Sequence, residues 1–448
     1  MGENIDFGDP LAWLRLDEAL RREPYAPAWL AEPELAIGLC HHDGRVREAA
    51  LQQAVGCSEL LPLVVVRCGD WVGEVRERAR ELLREALDTD TDTDTDAVAD
   101  TDTAVALVPL VLVLGWRGRG DFAVELVGGV LRQASREQLA PLFVHSDRAV
   151  RRFAYRLAVE EGLLSPAQLA RVAARDADAV VQDLCAEAAL AVVAKTGGYG
   201  EVLEPLLGAR SPRARAAGVT ALRAAGLPGR AEGFLGDRAG VVRACARYVV
   251  RQHGGDPVSL YRARCAAEPV PGVVTGLAEC GEPGDAALLW ALVSHASGAV
   301  RARAVGGLRV LGVVDVARML PLLDDPAPGV AREAALALLP SAGVLPDGWL
   351  MERLGGGWPK ECPRHVRVAA FRLLDARGGI VRLRAAVSVL DDPDERLRAR
   401  GARVVQRWHL EEGMTPGDAE VGELLGRARH LFSEYVLTRR LWEAGLPG

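Results

Sequence analysis

The stretch Asp325-Pro-Ala-Pro-Gly-Val-Ala-Arg-Glu-Ala-Ala-Leu-Ala-Leu (325–338) constrains this chain more than any other, because it returns. Asp325 and two prolines close a turn. Val330, Ala334 and Leu338 then recur at i, i+4 and i+8, one face of a helix. Asp392-Pro-Asp-Glu-Arg-Leu-Arg-Ala-Arg-Gly repeats the pattern, with Leu397 and Gly401 in the same places. A single helical hairpin cannot bury such a face alone; it needs a neighbour built like itself.

Twelve anchors open second helices along the chain: Val46, Val75, Val124, Val150, Val181, Ala214, Val242, Val274, Val300, Val330, Val366 and Leu397. Their spacings are 29, 49, 26, 31, 33, 28, 32, 26, 30, 36 and 31. The residue four past each anchor is small: Ala50, Ala79, Gly128, Ala154, Cys185, Gly218, Ala246, Ala278, Ala304, Ala334, Ala370 and Gly401. A small residue there lets the next hairpin approach closely. Arginine follows the anchor at Arg47, Arg76, Arg151, Arg215, Arg243, Arg301, Arg367 and Arg398. Glu125, Gln182, Thr275 and Ala331 replace it elsewhere. Asp43, Asp121, Asp147, Asp178, Ser211, Ser297 and Asp394 precede the anchor by three, where a side-chain oxygen caps a new helix.

The signature Asp-Pro-x-x-x-Val-Arg-x-x-Ala resembles HEAT repeats, in particular the short HEAT-like repeats of the phycobilisome-lyase type. The resemblance covers roughly Glu34 to Glu411. It implies an all-α, armadillo-type α-solenoid of about twelve superhelical helical-hairpin repeats, with the recurring Asp and Arg linking successive repeats in a ladder. The expected organisation is an N-terminal cap over 1–33, the solenoid over 34–411 and a capping segment over 412–448. In that last segment, Thr415–Trp442 reads as one amphipathic helix.

Three stretches depart from the period. Residues 88–102 hold seven Asp and no basic residue, and so account for the whole formal charge of −7. Dense like charge without apolar anchors predicts a disordered surface loop. Gly254–Val273 and Pro340–Pro363, rich in proline and glycine, also read as loops. The longest apolar run, Ala104–Gly115, is too short to span a bilayer and reads as a buried helix.

No P-loop, nucleophile elbow or zincin motif occurs. The eight cysteines form no CxxC pair and suit a reduced, cytoplasmic protein, and no secretory leader is apparent at the N-terminus. Cys40-His41-His42-Asp43 reads as turn and cap residues rather than a metal site, and no cofactor is expected. Lys360, Cys362 and His365 form a conceivable nucleophile loop, with an ordinary connection as the plainer reading.

Charge is unevenly spread. From Lys360 to Leu410 twelve basic residues oppose six acids, an excess of +6. Arg396, Arg400, Arg403 and Arg407 step by 4, 3 and 4, and share one helical face. They are candidate binding residues for phosphates or an acidic partner, set against a plain solvated face. Arg148, Arg152 and Arg156 form a second candidate cluster beside Arg151.

The leading expectation is a non-catalytic protein–protein interaction scaffold whose partner is another protein, with no membrane association. The alternative is a nucleic-acid-binding HEAT-like protein. By resemblance it extends to the alkylpurine DNA glycosylases, which set Trp, Arg and Asp on a concave face. Overall charge weighs against it, because affinity for nucleic acid comes largely from neutralising phosphates. A bilin lyase or chaperone, suggested only by the repeat subtype's name, ranks last.

Overall fold

The computed structural model describes residues 10–23, 32–87, 94–116, 118–354, 362–411 and 414–447. Among these residues the chain is helical throughout, with no strand. It forms two compact units, Met1–Gly226 and Leu227–Gly448, so the repeat tract is divided between them.

All twelve anchors fall in the first turn of a helix, ten of them at the third residue. All twelve small residues four positions on are buried. Several of these helices pack on their counterparts in the next repeat of the same unit. Within the second unit, Pro271–Cys280 packs on Gly298–Val310, that helix on Pro328–Leu338, and that in turn on Arg364–Arg377. In the first unit, Arg148–Glu160 and Pro212–Ala221 both pack on Ala179–Thr196. Each first helix lies against its own second helix, as Pro166–Arg175 does on Ala179–Thr196.

The small residues set these distances. A Cβ on Gly401 would stand 2.5 Å from Val389 Cγ2 and 2.8 Å from the Ala386 carbonyl oxygen. One on Gly218 would stand 2.9 Å from Leu206 Cβ.

Two anchors do not serve as core. Val46 is exposed while Arg47 beside it is fully buried. Val124 is half-buried, and Ala123 and Val127 carry that helix's apolar face instead. Capping follows the sequence at Asp43, Asp147, Asp178, Ser211 and Asp394, whose side chains accept from the new helix's N–H groups. Ser297 makes no such bond, and Asp121 is already the first helical residue, next to the positive end of the helix dipole.

Most of the described residues in the three expected loops are helical. Helix Asp94–Gly115 takes in the second half of the Asp/Thr run, while 88–93 lie outside the described residues. Negative charge is favourable at a helix N-terminus, and burial of Thr101, Ala104, Leu107 and Val108 anchors the helix beyond it. Ala104–Gly115 is therefore a buried helix segment, and among the described residues no helix is long and apolar enough to cross a membrane.

In Gly254–Val273 the prolines start helices rather than break them. Pro257 opens Pro257–Ala267 behind an Asp256 cap, and Pro271 opens the next helix. Within 340–363 the described part holds a 3-10 turn, Leu339–Val344, and helix Asp347–Glu352. Residues 355–361, including Lys360, lie outside the described residues.

The C-terminal segment is two helices rather than one, Ala419–Arg427 and Glu434–Glu443, because Ser433 caps a fresh start on the Val436 N–H. In the N-terminal segment, Trp13, Leu16 and Leu20 of helix Pro10–Arg22 join the core of the first unit.

Candidate functional site

Four of the eight arginines after the anchors, Arg47, Arg151, Arg301 and Arg367, share one job, whereas Arg243 pairs with Glu279 and Arg76 and Arg398 hold carbonyls of their own turns. Arg47 donates from Nε and Nη2 to Asp70 at 2.9 and 2.7 Å, and from Nη1 to the carbonyls of His41 and His42 at 2.8 and 3.0 Å. Arg151 holds Asp176 at 3.2 and 3.4 Å in the same way. Arg301 holds Asp325 at 2.9 and 2.7 Å, and Arg367 holds Asp392 at 2.7 and 3.0 Å. Each acid stands five residues before the next anchor, and each takes the N–H two residues on: Val72, Asp178, Ala327 and Asp394. The preceding repeat's arginine thus takes both carboxylate oxygens, Nε on Oδ2 and Nη2 on Oδ1, and the acid's own turn N–H shares Oδ1.

Burial acts against the Asp70 carboxylate. It is outweighed by hydrogen bonds from Arg47 and the Val72 N–H and by the charges of Arg67 and Arg47, and the acid stays below its ordinary range.

Histidine replaces this aspartate at His41, His145 and His295. Each accepts at Nδ1 from the N–H two residues on, at 3.0 Å. Such acceptance requires the Nε2–H tautomer. Where His145 and His295 stand, the preceding repeat carries Glu125 or Thr275 instead of arginine, so no guanidinium asks for a carboxylate. His41 and His42 are accordingly turn residues, and among the described residues no group of three or more His, Cys, Asp or Glu could hold a metal ion. Cys362 is buried, which pushes its thiol up and makes it a poorer nucleophile. His365 Nε2 lies 2.9 Å from the Asp325 carbonyl oxygen, a contact between hairpins.

The two arginine clusters part ways. Arg152 makes a two-pronged bond to Asp178 at 2.8 and 2.7 Å, and this drives the Asp178 carboxyl from 3.8 to about 2. Arg151 and Arg152 are thus both joined to the next repeat, while Arg148 and Arg156 stay exposed without forming a joint site with them. The C-terminal arginines do converge. Arg400, Arg403 and Arg407 line a groove of about 360 Å³ together with Asp375, Arg382 and Trp408. Arg396 is exposed and lies outside it.

Within the groove, Arg400 bonds Asp375 at 2.9 Å and lies 5.1 Å from the Phe371 ring centroid. Arg382 meets Glu411 at 2.9 Å. Arg403 turns its Nε back onto the Ala399 carbonyl at 3.2 Å, and Arg407 is exposed. Arg372, one turn before Asp375, is half-buried, and its guanidinium is held below the usual arginine range by burial and then by Arg400 and Arg332. Arg382 and Asp375 could not be assigned to the groove from the spacing of the stripe, because they stand on the two helices that precede it.

No family model matches this chain, and no curated protein matches it.

Proposed function

We propose that the protein is a non-catalytic interaction scaffold or adaptor, in which each unit stacks HEAT-like helical hairpins in the manner of an α-solenoid. The observation that carries this reading is the recurrence of one Arg–Asp joint at separations of 23, 25, 24 and 25 residues. The same atoms serve the same roles each time, as in an array where each repeat chiefly touches its neighbours. Packing of successive second helices supports the same reading. Such arrays offer long surfaces, and their usual ligands are other proteins. Eight cysteines without a disulfide fit a reducing, cytoplasmic setting.

The arginine groove gives the nucleic-acid reading its one specific support. Affinity capture from native cytosol, with and without nuclease, separates the two. A protein partner that survives nuclease supports the scaffold. Material lost on nuclease treatment, with binding that weakens steeply in salt, would replace it with nucleic-acid binding.

A further inference from the structure

The groove beside helix Glu395–Arg407 carries more positive charge than its own acids meet. Four lining arginines, Arg382, Arg400, Arg403 and Arg407, face one lining acid, Asp375, a net +3. Asp375 is shared between Arg400 at 2.9 Å and Arg382 at 3.4 Å, and Glu411 at the edge is engaged by Arg382. Among the described residues Arg403 bonds a carbonyl and neither it nor Arg407 is in an ion pair, and both are exposed. Behind them the half-buried Arg372 is crowded by like charge. Cations gathered in a concave site focus a field that an anion can relieve.

The surroundings select among anions. The same helix begins beside two exposed acids, Asp391 and Glu395, while Asp392 and Asp394 are paired with Arg367 and Arg364, so negative charge stands across the helix's start where a nucleic acid would need a continuous basic track. The Trp408 ring is buried, and its indole N–H is committed to the Gly379 carbonyl at 3.1 Å, leaving no stacking platform for bases. Guanidinium forks grip carboxylates and phosphates alike, so it is the lack of a continuous basic track and of a stacking ring that favours a carboxylate ligand.

We propose that this groove binds a short acidic segment, a run of Glu or Asp, from a protein partner, which rests on the scaffold reading above. Arg403 and Arg407 contact the carboxylates, and Arg400, held by Asp375, supplies the groove's fixed wall.

Fluorescence anisotropy of a labelled deca-glutamate peptide on the full chain at low salt tests this. The variants are Arg403→Glu/Arg407→Glu, a neutral pair Arg403→Gln/Arg407→Gln as a milder check on folding, and a control, Arg148→Glu/Arg156→Glu, with the same charge change elsewhere. Loss of at least about tenfold in affinity in both groove variants, with the control near wild type, is expected from two charge-assisted contacts. Equal loss in the control, or no peptide binding at low salt, overturns the groove and leaves the scaffold reading to the capture experiment. Tighter binding of a labelled DNA duplex than of the peptide, also lost in the groove variants, overturns it in favour of nucleic acid.

Discussion

Arg47 and Asp70, 23 residues apart, meet in a two-pronged ion pair with both side chains essentially out of solvent. The pair joins the turn before helix Gly44–Gln53 to the turn before helix Gly73–Ala86, because the remaining Arg47 nitrogen holds its own turn through two carbonyls. Asp70 is also reached by Arg67 at 3.2 Å. Two repeats are therefore fixed to each other by one side chain whose polar groups are all occupied.

Removing either partner should expose the cost of burying the other. Asp70→Asn, which leaves the buried Arg47 without a counter-ion, is expected to destabilise the first unit by roughly 3–5 kcal/mol, and Arg47→Ala by less, because Arg67 still reaches Asp70. Replacing both with apolar residues of similar volume should cost less than either single change. Urea unfolding followed by circular dichroism measures this.

Small residues at the close approaches should resist even one methyl group. Gly401→Ala would set a Cβ 2.8 Å from backbone and is expected to cost roughly 1–3 kcal/mol through overpacking. Gly129, in helix Asp121–Leu131 with nothing within 4 Å of its Cβ position, is the contrast. Gly129→Ala should stabilise by about 0.5–1 kcal/mol, since alanine restricts the unfolded chain and suits a helix. Thermal melting of the two variants side by side gives the opposite signs directly.

The joints should fail in acid. Asp178 titrates at about 2 in the folded chain against an ordinary 3.8, chiefly through Arg152, so its folded-state value is depressed. A depressed carboxylate contributes stability that is fully present above its unfolded value and lost as pH falls through the folded one. Asp70 and Asp325 are lowered as well. Stability measured by urea midpoint should stay flat above about pH 5 and fall steeply between about pH 4 and 2. In Arg152→Met the fall attributable to Asp178 should shrink.

The all-helical character and the starts of the second helices were legible because the apolar period is short-range. A valine in the first helical turn and a small residue four later lie on one face, and all twelve of those small residues are buried. The joints were legible only as residue types. Arg152 looked like part of a free cluster because its partner, Asp178, comes from the next repeat, 26 residues on. Proline misled in Gly254–Val273, since a proline at a helix's first position and one in a loop read alike without the cap before it. The Asp/Thr run misled in the other direction, because acids that weaken a helix interior are tolerated at its start. Of the arginine stripe, periodicity found Arg400, Arg403 and Arg407 but not Arg382 and Asp375, which only packing brings to the same groove.

The claim beneath all of this is that successive repeats are energetically joined through the arginine after one anchor and the aspartate before the next. A double-mutant cycle on Arg301 and Asp325, using Arg301→Met and Asp325→Asn so that the turn at Ala327 keeps its acceptor, tests it most directly. A favourable coupling on the order of 1–3 kcal/mol between the two positions is predicted. Additivity within about 0.5 kcal/mol would contradict it.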